Sequence, residues 1–492
     1  MQKHILSKST FIKGMQCHKA LYLNKHHKEL KEEVSAAQEA IFAQGTSVGE
    51  LATELFPGGV DCSPKSYYNF QEAVIHTQEE IKKGAKIIYE AAFQYNGVLA
   101  ALDILVKDQK GWKAYEVKSS TGVTETYHLD ATIQYYAIIN SGIDLKDISI
   151  VHINNEYEKM GEIDVHQLFT IVSVKEEVLQ LLPRIDEEVA ILKNVLLQKE
   201  IPKVDIGPHC SDPYECDFAG NCWKHIPDNS VFNISRLNGN KKFEMYGSNI
   251  IHFKDIPEDF PLNEKQWMQV NCELNNETII DEPKIKEFVK SLQYPLYFMD
   301  FETFATAVPL FDKSRPYQQL VFQYSMHKQE SVQAVATHFE FLAELNGGDP
   351  RIPFIEKLIL DCGTKGDILV YNIGFEKGKL ADLALNFPLF SKQINKIIPR
   401  LKDLMTPFQQ RWYYTPEMKG SYSIKKVLPA LVPELSYNNL NINEGGTASN
   451  TFASMLTGDF EGDVNQTRED LLAYCKMDTF AMVRILDKLK TI

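Results

Sequence analysis

Residues 297–302 are Tyr-Phe-Met-Asp-Phe-Glu, and this stretch decides the fold of the carboxyl-terminal part of the chain. Its apolar start predicts a buried strand, and Asp300 begins where that strand leaves the core. Side chains two residues apart on a strand share a face, so Asp300 and Glu302 are expected to lie together. Two adjacent carboxylates repel each other unless a cation lies between them. The stretch therefore predicts a strand that carries metal ligands.

Two later motifs could complete such a site. Asn372 and Glu376 lie where a predicted strand ends and a helix begins, and Tyr474 and Asp478 are four residues apart on the predicted last helix. That helical spacing places Tyr474 and Asp478 on one face. The carboxylates could hold two divalent ions about 3.5–4 Å apart, one activating water and one stabilising the leaving oxygen, while Tyr474 orients the water. Each motif alone is more often a solvated surface, and the order of the three favours a phosphodiesterase site.

This region resembles the DEDD exonuclease superfamily, in its tyrosine-containing branch, and the resemblance implies an RNase H-like fold. It assigns Asp300 and Glu302 to the first motif, Glu376 to the second, and Tyr474 with Asp478 to the third. The second motif usually ends in Asp, so Glu376 is a departure, and Asp382 ranks below it as an alternative. The segment 420–429 resembles one that lies beside the substrate strand, which makes Lys425 and Lys426 candidate phosphate contacts; a solvated lysine pair is the alternative.

A second acidic pattern lies in the amino-terminal part. Asp103 is on one predicted strand, and Glu116 and Lys118 share a face of the next. The two acids would bind magnesium, and Lys118 would position or activate hydroxide. The pattern resembles PD-(D/E)xK nucleases of the RecB-like group. That resemblance implies that Glu50 supplies a further ligand and that Gln134 orients the substrate or the lysine.

Three cysteines, Cys210, Cys216 and Cys222, fall within thirteen residues, and Cys17 is the best candidate for a fourth ligand. In a reducing compartment such clustering favours a cofactor over disulfides. Four thiolates suit a [4Fe–4S] cluster and equally suit zinc, and the wide gaps favour iron–sulfur. RecB-like nucleases with an iron–sulfur staple have the same layout. His18 and His225 are fallback ligands. The other four cysteines are expected to be core or surface thiols, with Cys475 pointing away from the third motif.

Composition limits the class of protein. The chain has 492 residues, 44% of them hydrophobic, and a formal net charge of −14, which indicates a globular protein with modest non-specific affinity for nucleic acid. No signal peptide or membrane-spanning stretch is expected, which predicts a cytoplasmic location. We expect a nuclease domain at 1–228, a connector of short helices at 229–290, with a turn at 238–242, and an exonuclease-like domain at 291–492.

The chain is expected to be α/β in both domains, restriction-endonuclease-like in the first and RNase H-like in the second. Hydrophobic patterns and turn residues predict the main elements. They are helices at 38–55, 129–140, 353–360 (capped by Asp349), 375–385 and 468–489, and strands at 98–106, 112–117, 296–301, 320–327 and 367–372.

Over nearly its full length the sequence resembles a bacterial family that fuses a RecB-like nuclease domain to a DEDD-type domain. The resemblance rests on residues 6–17, 207–210, 297–303 and 445–449. It implies the fold and the class of chemistry. We expect a Mg²⁺- or Mn²⁺-dependent nuclease that acts on DNA or RNA, with single strands preferred. Its carboxyl-terminal domain is expected to remove nucleotides 3′ to 5′, and its amino-terminal domain to be a second nuclease centre or a strand-binding platform. Two alternatives remain open at this point: a nucleic-acid-binding scaffold with dead sites, and a hydrolase of small phosphorylated molecules.

Overall fold

The computed structural model describes residues 4–64 and 70–492, without the side chain of Ala36. It confirms a mixed α/β protein with several sheets. The chain divides into two compact units, residues 1–225 with 306–317, and residues 226–305 with 318–492. The expected connector, 229–290, therefore groups with the second unit, and a short segment from the carboxyl-terminal half groups with the first.

The first unit is built on a seven-stranded sheet within the described residues. Its strands β1 to β7 are Leu6–Ser7, Val60–Asp61, Ile87–Tyr95, Val98–Asp108, Gly111–Lys118, Leu145–Ile153 and Phe169–Ser173. Its helices α1 to α9 are Lys8–Gln16, His18–His26, Ala36–Ala52, Phe70–Lys83, Glu125–Asn140, Val165–Leu168, Lys175–Leu181, Ile185–Leu197 and Ala219–Cys222.

The strands of this sheet follow the order β2-β3-β4-β5-β6-β7, and β1 pairs with β4. Strands β3, β4 and β5 are antiparallel neighbours, whereas β5 and β6 are parallel. Helix α5 packs on the sheet through its buried residues Ile133 and Ala137. This arrangement brings Asp103 on β4 beside β5, where Glu116 and Lys118 lie.

The second unit contains a five-stranded sheet and a two-stranded one. Its strands β8 to β14 are Ile279–Ile280, Leu296–Phe304, Leu320–Gln329, Thr337–Leu342, Ile368–Val370, Leu401–Asp403 and Tyr413–Tyr414. Its helices α10 to α19 are Gly239–Gly247, Glu264–Asn275, Glu282–Lys290, Arg351–Asp361, Ile373–Asn386, Pro388–Ile397, Thr406–Gln409, Ile424–Leu431, Gly445–Thr457 and Val464–Leu489.

The five-stranded sheet has the order β11-β10-β9-β12-β13. Strand β10 is antiparallel to both of its neighbours, β11 and β9, whereas β9, β12 and β13 run parallel to one another. Strand β9 is central and buried almost throughout, which follows from its run of aromatic and aliphatic residues. Helix α19 packs against β9 and β10. The sheet and this helix therefore hold the first and third acidic motifs against each other.

The predicted helices and strands are confirmed, with differences at their ends. The last helix begins at Val464, four residues before the expected start. Helix α13 begins at Arg351 rather than at Pro353, because proline is tolerated in the first turn of a helix. Asp349 does accept a hydrogen bond from the Arg351 amide at 3.0 Å, although Pro350 occupies the cap position. The expected turn at 238–242 is wrong, since Asn238 caps helix α10 there.

Candidate metal centre

Two carboxylates and a thiol meet in the second unit. Ligand atoms of Asp300 and Glu302 on β9 and of Cys475 on α19 all lie within 4.8 Å of one another. The Cys475 sulfur is 3.9 Å from Asp300 Oδ2 and 3.8 Å from the Asp300 carbonyl oxygen. The expectation that Cys475 points away from the site is therefore wrong. Its position three residues before Asp478 places both on one face of α19.

Asp478 approaches the same place from α19. Its Oδ1 accepts a hydrogen bond of 2.7 Å from the Tyr437 hydroxyl, and the Tyr474 hydroxyl also bonds to this carboxylate. Both tyrosines are buried, and burial raises the pKa of each well above its usual range, so both remain protonated donors. The sequence predicted Tyr474 at this site but missed Tyr437, which reaches it from the short segment after α17.

The pKa values of the acids in this centre are all raised. Burial is the main cause, and it raises the pKa of Asp478 to about 6. The pKa values of Asp300 and Glu302 are raised well above the usual range by burial, and then by the neighbouring negative charge of Asp478. A cation placed among these carboxylates would remove the repulsion and compensate the lost hydration. The centre thus has the electrostatics of a cation site.

Glu376 contributes a fourth acid from the first turn of α14. It is 1% exposed, its Oε2 lacks a hydrogen-bond partner among the described residues, and burial raises its pKa to about 8. Its charge also raises the pKa values of Asp300 and Glu302. Asp382 instead forms an ion pair of 3.2 Å with Lys379 and is about half exposed. The structure therefore brings Glu376, and not Asp382, to the other acids.

Asn372 shapes the turn in front of Glu376. It adopts a left-handed conformation with φ 84° as the cap of α14. Asp403, at the end of β13, accepts hydrogen bonds from the amides of Asn372 and Ile373 at 3.1 and 3.2 Å. Asp403 thus fixes the start of the helix that carries Glu376. Asn372 acts here through its backbone, and sequence reasoning missed the part played by Asp403.

Lys425 is a cation whose charge acts on the acids of this centre. It lowers the pKa values of Glu302 and Asp478, and its amino group lies over the rings of Tyr437 and Tyr474 at 5.7 and 5.5 Å. It also donates to the Asn443 carbonyl at 2.6 Å. Its neighbour Lys426 is exposed. Of the two predicted phosphate contacts, Lys425 therefore belongs to the centre.

The start of helix α18 also borders the centre. A side chain at Gly445 would begin 3.7 Å from the Tyr474 hydroxyl and 3.8 Å from Glu302 Oε2, so glycine keeps this space open. The cap residue Glu444 makes no side-chain hydrogen bond to the first turn. Amide groups at the start of α18 are therefore left for another acceptor.

The first unit contains a different acidic cluster. Glu116 is 1% exposed, and its Oε1 accepts hydrogen bonds from Lys118 at 2.7 Å and from Lys8. Lys118 also donates to Asp130 at 2.5 Å. Although burial raises the pKa of Glu116, the two lysines outweigh it and lower that pKa to about 2. Asp103 accepts from the Val117 amide at 2.5 Å, and burial and then Glu116 raise its pKa well above the usual range.

The remaining residues predicted for this unit are placed unevenly. Gln134 is fully buried, and neither of its amide atoms has a partner among the described residues. Glu50 is exposed on α3, and it is not among the charges that perturb Asp103 or Glu116. Glu90, on β3, is one of the charges that raise the pKa of Asp103, and its own pKa is raised by burial and then by Glu116. Sequence reasoning missed Lys8, Asp130 and Glu90 because their partners are distant in the chain.

The four predicted cysteine ligands converge. Cys17, Cys210, Cys216 and Cys222 line one cavity of about 330 Å³, counting the part open to solvent. The cavity is otherwise mainly apolar, with Leu23, Val204, Ile206 and Phe218 among its walls. Burial raises the pKa of Cys17, and Cys210 and Cys222 raise it further, so the thiols are near neighbours.

Within the described ranges, no three of these sulfurs lie within 4.8 Å of one another. His209 lines the cavity, whereas the two fallback ligands, His18 and His225, are not among its walls. The four cysteines therefore surround a space without closing on a single point.

In the part of the chain that the structure describes, no helix combines the length and the apolar character needed to cross a bilayer.

Comparisons with known proteins match one stretch of the chain to a family model. Residues 297–423 match a domain of unknown function, DUF2779, a range that includes Asp300, Glu302 and Glu376 but ends before Tyr474 and Asp478. The chain is similar to the "Uncharacterized protein MG366 homolog" of Mycoplasma pneumoniae, with 28% identity over 41% of this chain and 33% of the relative.

It is also similar to the "Uncharacterized protein UU173" of Ureaplasma parvum, with 28% identity over 44% of this chain and 34% of the relative. A third relative, the "Uncharacterized protein MG366" of Mycoplasma genitalium, is 25% identical over 41% of this chain and 33% of its own length. The matched region spans about one third of the length of these relatives.

Proposed function

We propose that the second unit is a divalent-metal-dependent nuclease centre of the DEDD exonuclease type. One observation carries the proposal: four acids from β9, α14 and α19 act on one another and all have raised pKa values, Glu302, Glu376 and Asp478 being buried and Asp300 half-buried. Buried acids that repel one another destabilise a fold, and such perturbed groups cluster at functional sites. Metal binding accounts for their retention.

The sheet of the second unit supports the RNase H-like part of this proposal. Three antiparallel strands, β11, β10 and β9, are followed in the sheet by β12 and β13, which run parallel to β9. The first motif lies on the central strand β9, and the third lies on the last helix, which packs against that strand. The geometry and the motif order therefore agree with one fold.

The residues of the centre have separable tasks. Asp300, Glu302, Glu376 and Asp478 would hold Mg²⁺ or Mn²⁺, and a bound ion supplies water activation and stabilisation of the leaving oxygen. The hydroxyls of Tyr437 and Tyr474 orient Asp478. Lys425 and the start of α18, which border Glu302 and Tyr474, would offer positive charge and amide groups to a phosphate. These features favour a phosphodiester over an uncharged substrate.

For the first unit we propose a PD-(D/E)xK-like centre, in which Asp103 and Glu116 hold the metal and Lys118 orients the attacking water. The contact of Lys118 with Glu116 at 2.7 Å and the unpartnered amide of Gln134 support this assignment. Lys8 contacts the same oxygen of Glu116 as Lys118. A metal at Glu116 would have to share or displace Lys8.

For the four cysteines of the first unit we propose a [4Fe–4S] cluster, with zinc as the alternative. Four sulfurs on one zinc ion are about 3.8 Å apart, whereas no three of the described cysteine sulfurs lie within 4.8 Å of one another. A cluster of four iron atoms holds its thiolates further apart, and an apolar cavity suits it. In this role Cys17 ties the start of the chain to the segment 210–222.

The proposed substrate is single-stranded DNA or RNA, cut from its 3′ end, in a cytoplasmic setting. The net charge of −14 means that binding depends on local groups such as Lys425 and on the bound ions rather than on a basic surface. The test below distinguishes this proposal from two alternatives, a hydrolase of small nucleotides and a nucleic-acid-binding scaffold without activity.

The test is cleavage of 5′-labelled single-stranded DNA and RNA oligonucleotides by the full chain with Mg²⁺ or Mn²⁺ and with EDTA. The proposal expects metal-dependent ladders from the 3′ end, lost in Asp300→Asn and retained in Asp382→Asn, a matched acid outside the centre. Competition by mononucleotides at low concentration would instead support a small-nucleotide hydrolase. An intact, metal-binding protein without cleavage on any strand would overturn the proposal.

A further inference from the structure

Cys475 is placed as a ligand rather than as a filler of the core. It is fully buried on α19, and its sulfur shares a 4.8 Å group with carboxylate oxygens of Asp300 and Glu302. A thiol that merely fills space is usually surrounded by apolar groups, as Cys362 is beside Phe354 and Leu358 in the core of the same unit. Cys475 instead lies against two acids, and its pKa is raised by burial and then by the charges of Asp300 and Glu302.

A second observation points to a cation at this place. Glu376 is buried to 1% exposure, and its Oε2 has no hydrogen-bond partner among the described residues. Its charge reaches Asp300 and Glu302, whose pKa values it raises. Unpartnered oxygen in a buried group is costly unless something binds it. The thiol and the carboxylates thus surround a position that lacks a positive charge.

We propose that the centre takes a thiophilic divalent ion of the zinc class, with the Cys475 sulfur and the carboxylates of Asp300 and Glu302 as ligands. The inference deepens the proposed function because it concerns the same centre. Mg²⁺ and Mn²⁺ select oxygen ligands, whereas Zn²⁺ accepts sulfur and oxygen together. A mixed set of one sulfur and two carboxylates therefore discriminates between these two classes of ion.

The distances are close to those that one ion needs. With Zn–S near 2.3 Å and Zn–O near 2.1 Å, a sulfur and an oxygen on one tetrahedral ion lie about 3.6 Å apart. The distance from the Cys475 sulfur to Asp300 Oδ2 is 3.9 Å. A small rotation of either side chain closes the difference. On binding, the S–H bond breaks, the sulfur–metal bond forms, and the proton leaves to solvent.

The consequence for activity is competition. An ion held by Cys475 takes oxygens of Asp300 and Glu302 away from Mg²⁺ or Mn²⁺. Zn²⁺ is therefore expected to inhibit the Mg²⁺-dependent reaction, and Cys475→Ser is expected to raise the inhibitory Zn²⁺ concentration at least about tenfold. Serine keeps the size of the side chain and offers a weaker oxygen donor for Zn²⁺, so inhibition is compared with the Mg²⁺-dependent rate of the same variant without Zn²⁺.

A test without activity uses Cd²⁺ as the probe on the full chain, in Mg²⁺-free buffer. Cadmium bound to thiolate absorbs in the ultraviolet, and the four cysteines of the first unit contribute the same background in every variant. Cys475→Ser and Asp300→Asn are each expected to remove the same part of the band, and the double variant no more than either. Cys362→Ser, a buried thiol away from the acids, is expected to remove none.

An unchanged band in Cys475→Ser, with the fold intact by circular dichroism, would overturn the inference. Cys475→Ala and the Asp300→Asn arm keep the test valid should the serine variant fold poorly. The two proposals fail separately. If the variants lose the Cd²⁺ band but the unmodified protein cleaves no nucleic acid, the ion site stands and the proposed nuclease fails. If the unmodified protein cleaves nucleic acid but the variants keep the band, the nuclease stands and the ion site fails.

Discussion

The two acidic clusters of this protein solve the same electrostatic problem in opposite ways. In the first unit, Glu116 is paired with Lys8 and Lys118, and its pKa falls to about 2. In the second unit, none of the four acids forms an ion pair among the described residues, and Lys425 acts on Glu302 and Asp478 only through its charge. Burial raises the pKa values of Asp478 to about 6 and Glu376 to about 8. The first cluster carries its own counter-charge, whereas the second needs one from outside.

This difference predicts opposite responses to pH. A lowered carboxyl pKa stabilises the fold above the unfolded value, so the contribution of Glu116 is lost as pH falls from about 4.5 towards 2. A raised carboxyl pKa favours the protonated folded state. The contributions of Asp478 and Glu376 are therefore present at low pH and lost as pH rises through about 6 and about 8. Dependence on added metal should belong mainly to the second unit.

The largest expected effect is on cleavage. Asp300→Asn removes one of the four carboxylates proposed to hold the metal, and we expect the Mg²⁺-dependent rate to fall by on the order of 10³-fold or more. The measurement is single-turnover cleavage of a labelled single strand. Lys118→Met, made in the first unit, reports how much of the cleavage belongs to the other cluster. Equal activity of Asp300→Asn and the unmodified protein would show that the second unit does not carry the cleavage activity.

The next effect is on stability in the first unit. Lys118→Met leaves Glu116 and Asp130 with Lys8 as their remaining partner. Breaking a buried ion pair from one side costs about 3–5 kcal/mol, and here Lys8 should reduce the loss to about 2–3 kcal/mol. Urea denaturation at pH 7 measures it. Exposed Lys286→Met, which loses only a surface pair with Glu282, is the control and should change stability little.

In the second unit the sign is reversed. Asp478→Asn removes a carboxylate whose folded pKa, about 6, lies above its ordinary value of 3.8. One pKa unit corresponds to about 1.4 kcal/mol, so we expect the metal-free protein to gain about 3 kcal/mol at pH 7. Thermal denaturation in EDTA measures the gain, which should shrink towards pH 4. Added Mn²⁺ should stabilise the unmodified protein and have less effect on the variant. A destabilised variant at pH 7 would contradict this account.

The sequence predicted more of the sheets than of the two clusters. Strand β9 was predictable because five apolar residues surround Asp300 and Glu302, and α19 because of its long apolar periodicity. Cys475 could have been placed, since it is three residues from Asp478 on one helix face. Lys8 could not, because 108 residues separate it from Glu116 and no spacing rule joins α1 to β5. Contacts fixed by tertiary packing leave no local signal.

Tyr437 is the clearest example, and it gives the smallest and most specific prediction. It begins the short 3-10 helix Tyr437–Asn439, 41 residues before Asp478, to which it donates at 2.7 Å. Its hydrogen bond lowers the pKa of Asp478, so Tyr437→Phe should raise that pKa and weaken metal binding by about threefold to tenfold. Stability should fall by about 1–2 kcal/mol.

Tyr324→Phe is the matched control, because Tyr324 is equally buried and donates at 2.6 Å to Asp361, an acid outside the centre. It should lose similar stability while the Mn²⁺ affinity stays unchanged. Mn²⁺ titration followed by thermal denaturation separates the two tyrosines. If both variants weaken Mn²⁺ binding equally, the hydrogen bond to Asp478 acts only on the fold, and the second cluster does not depend on neighbours to tune its charge.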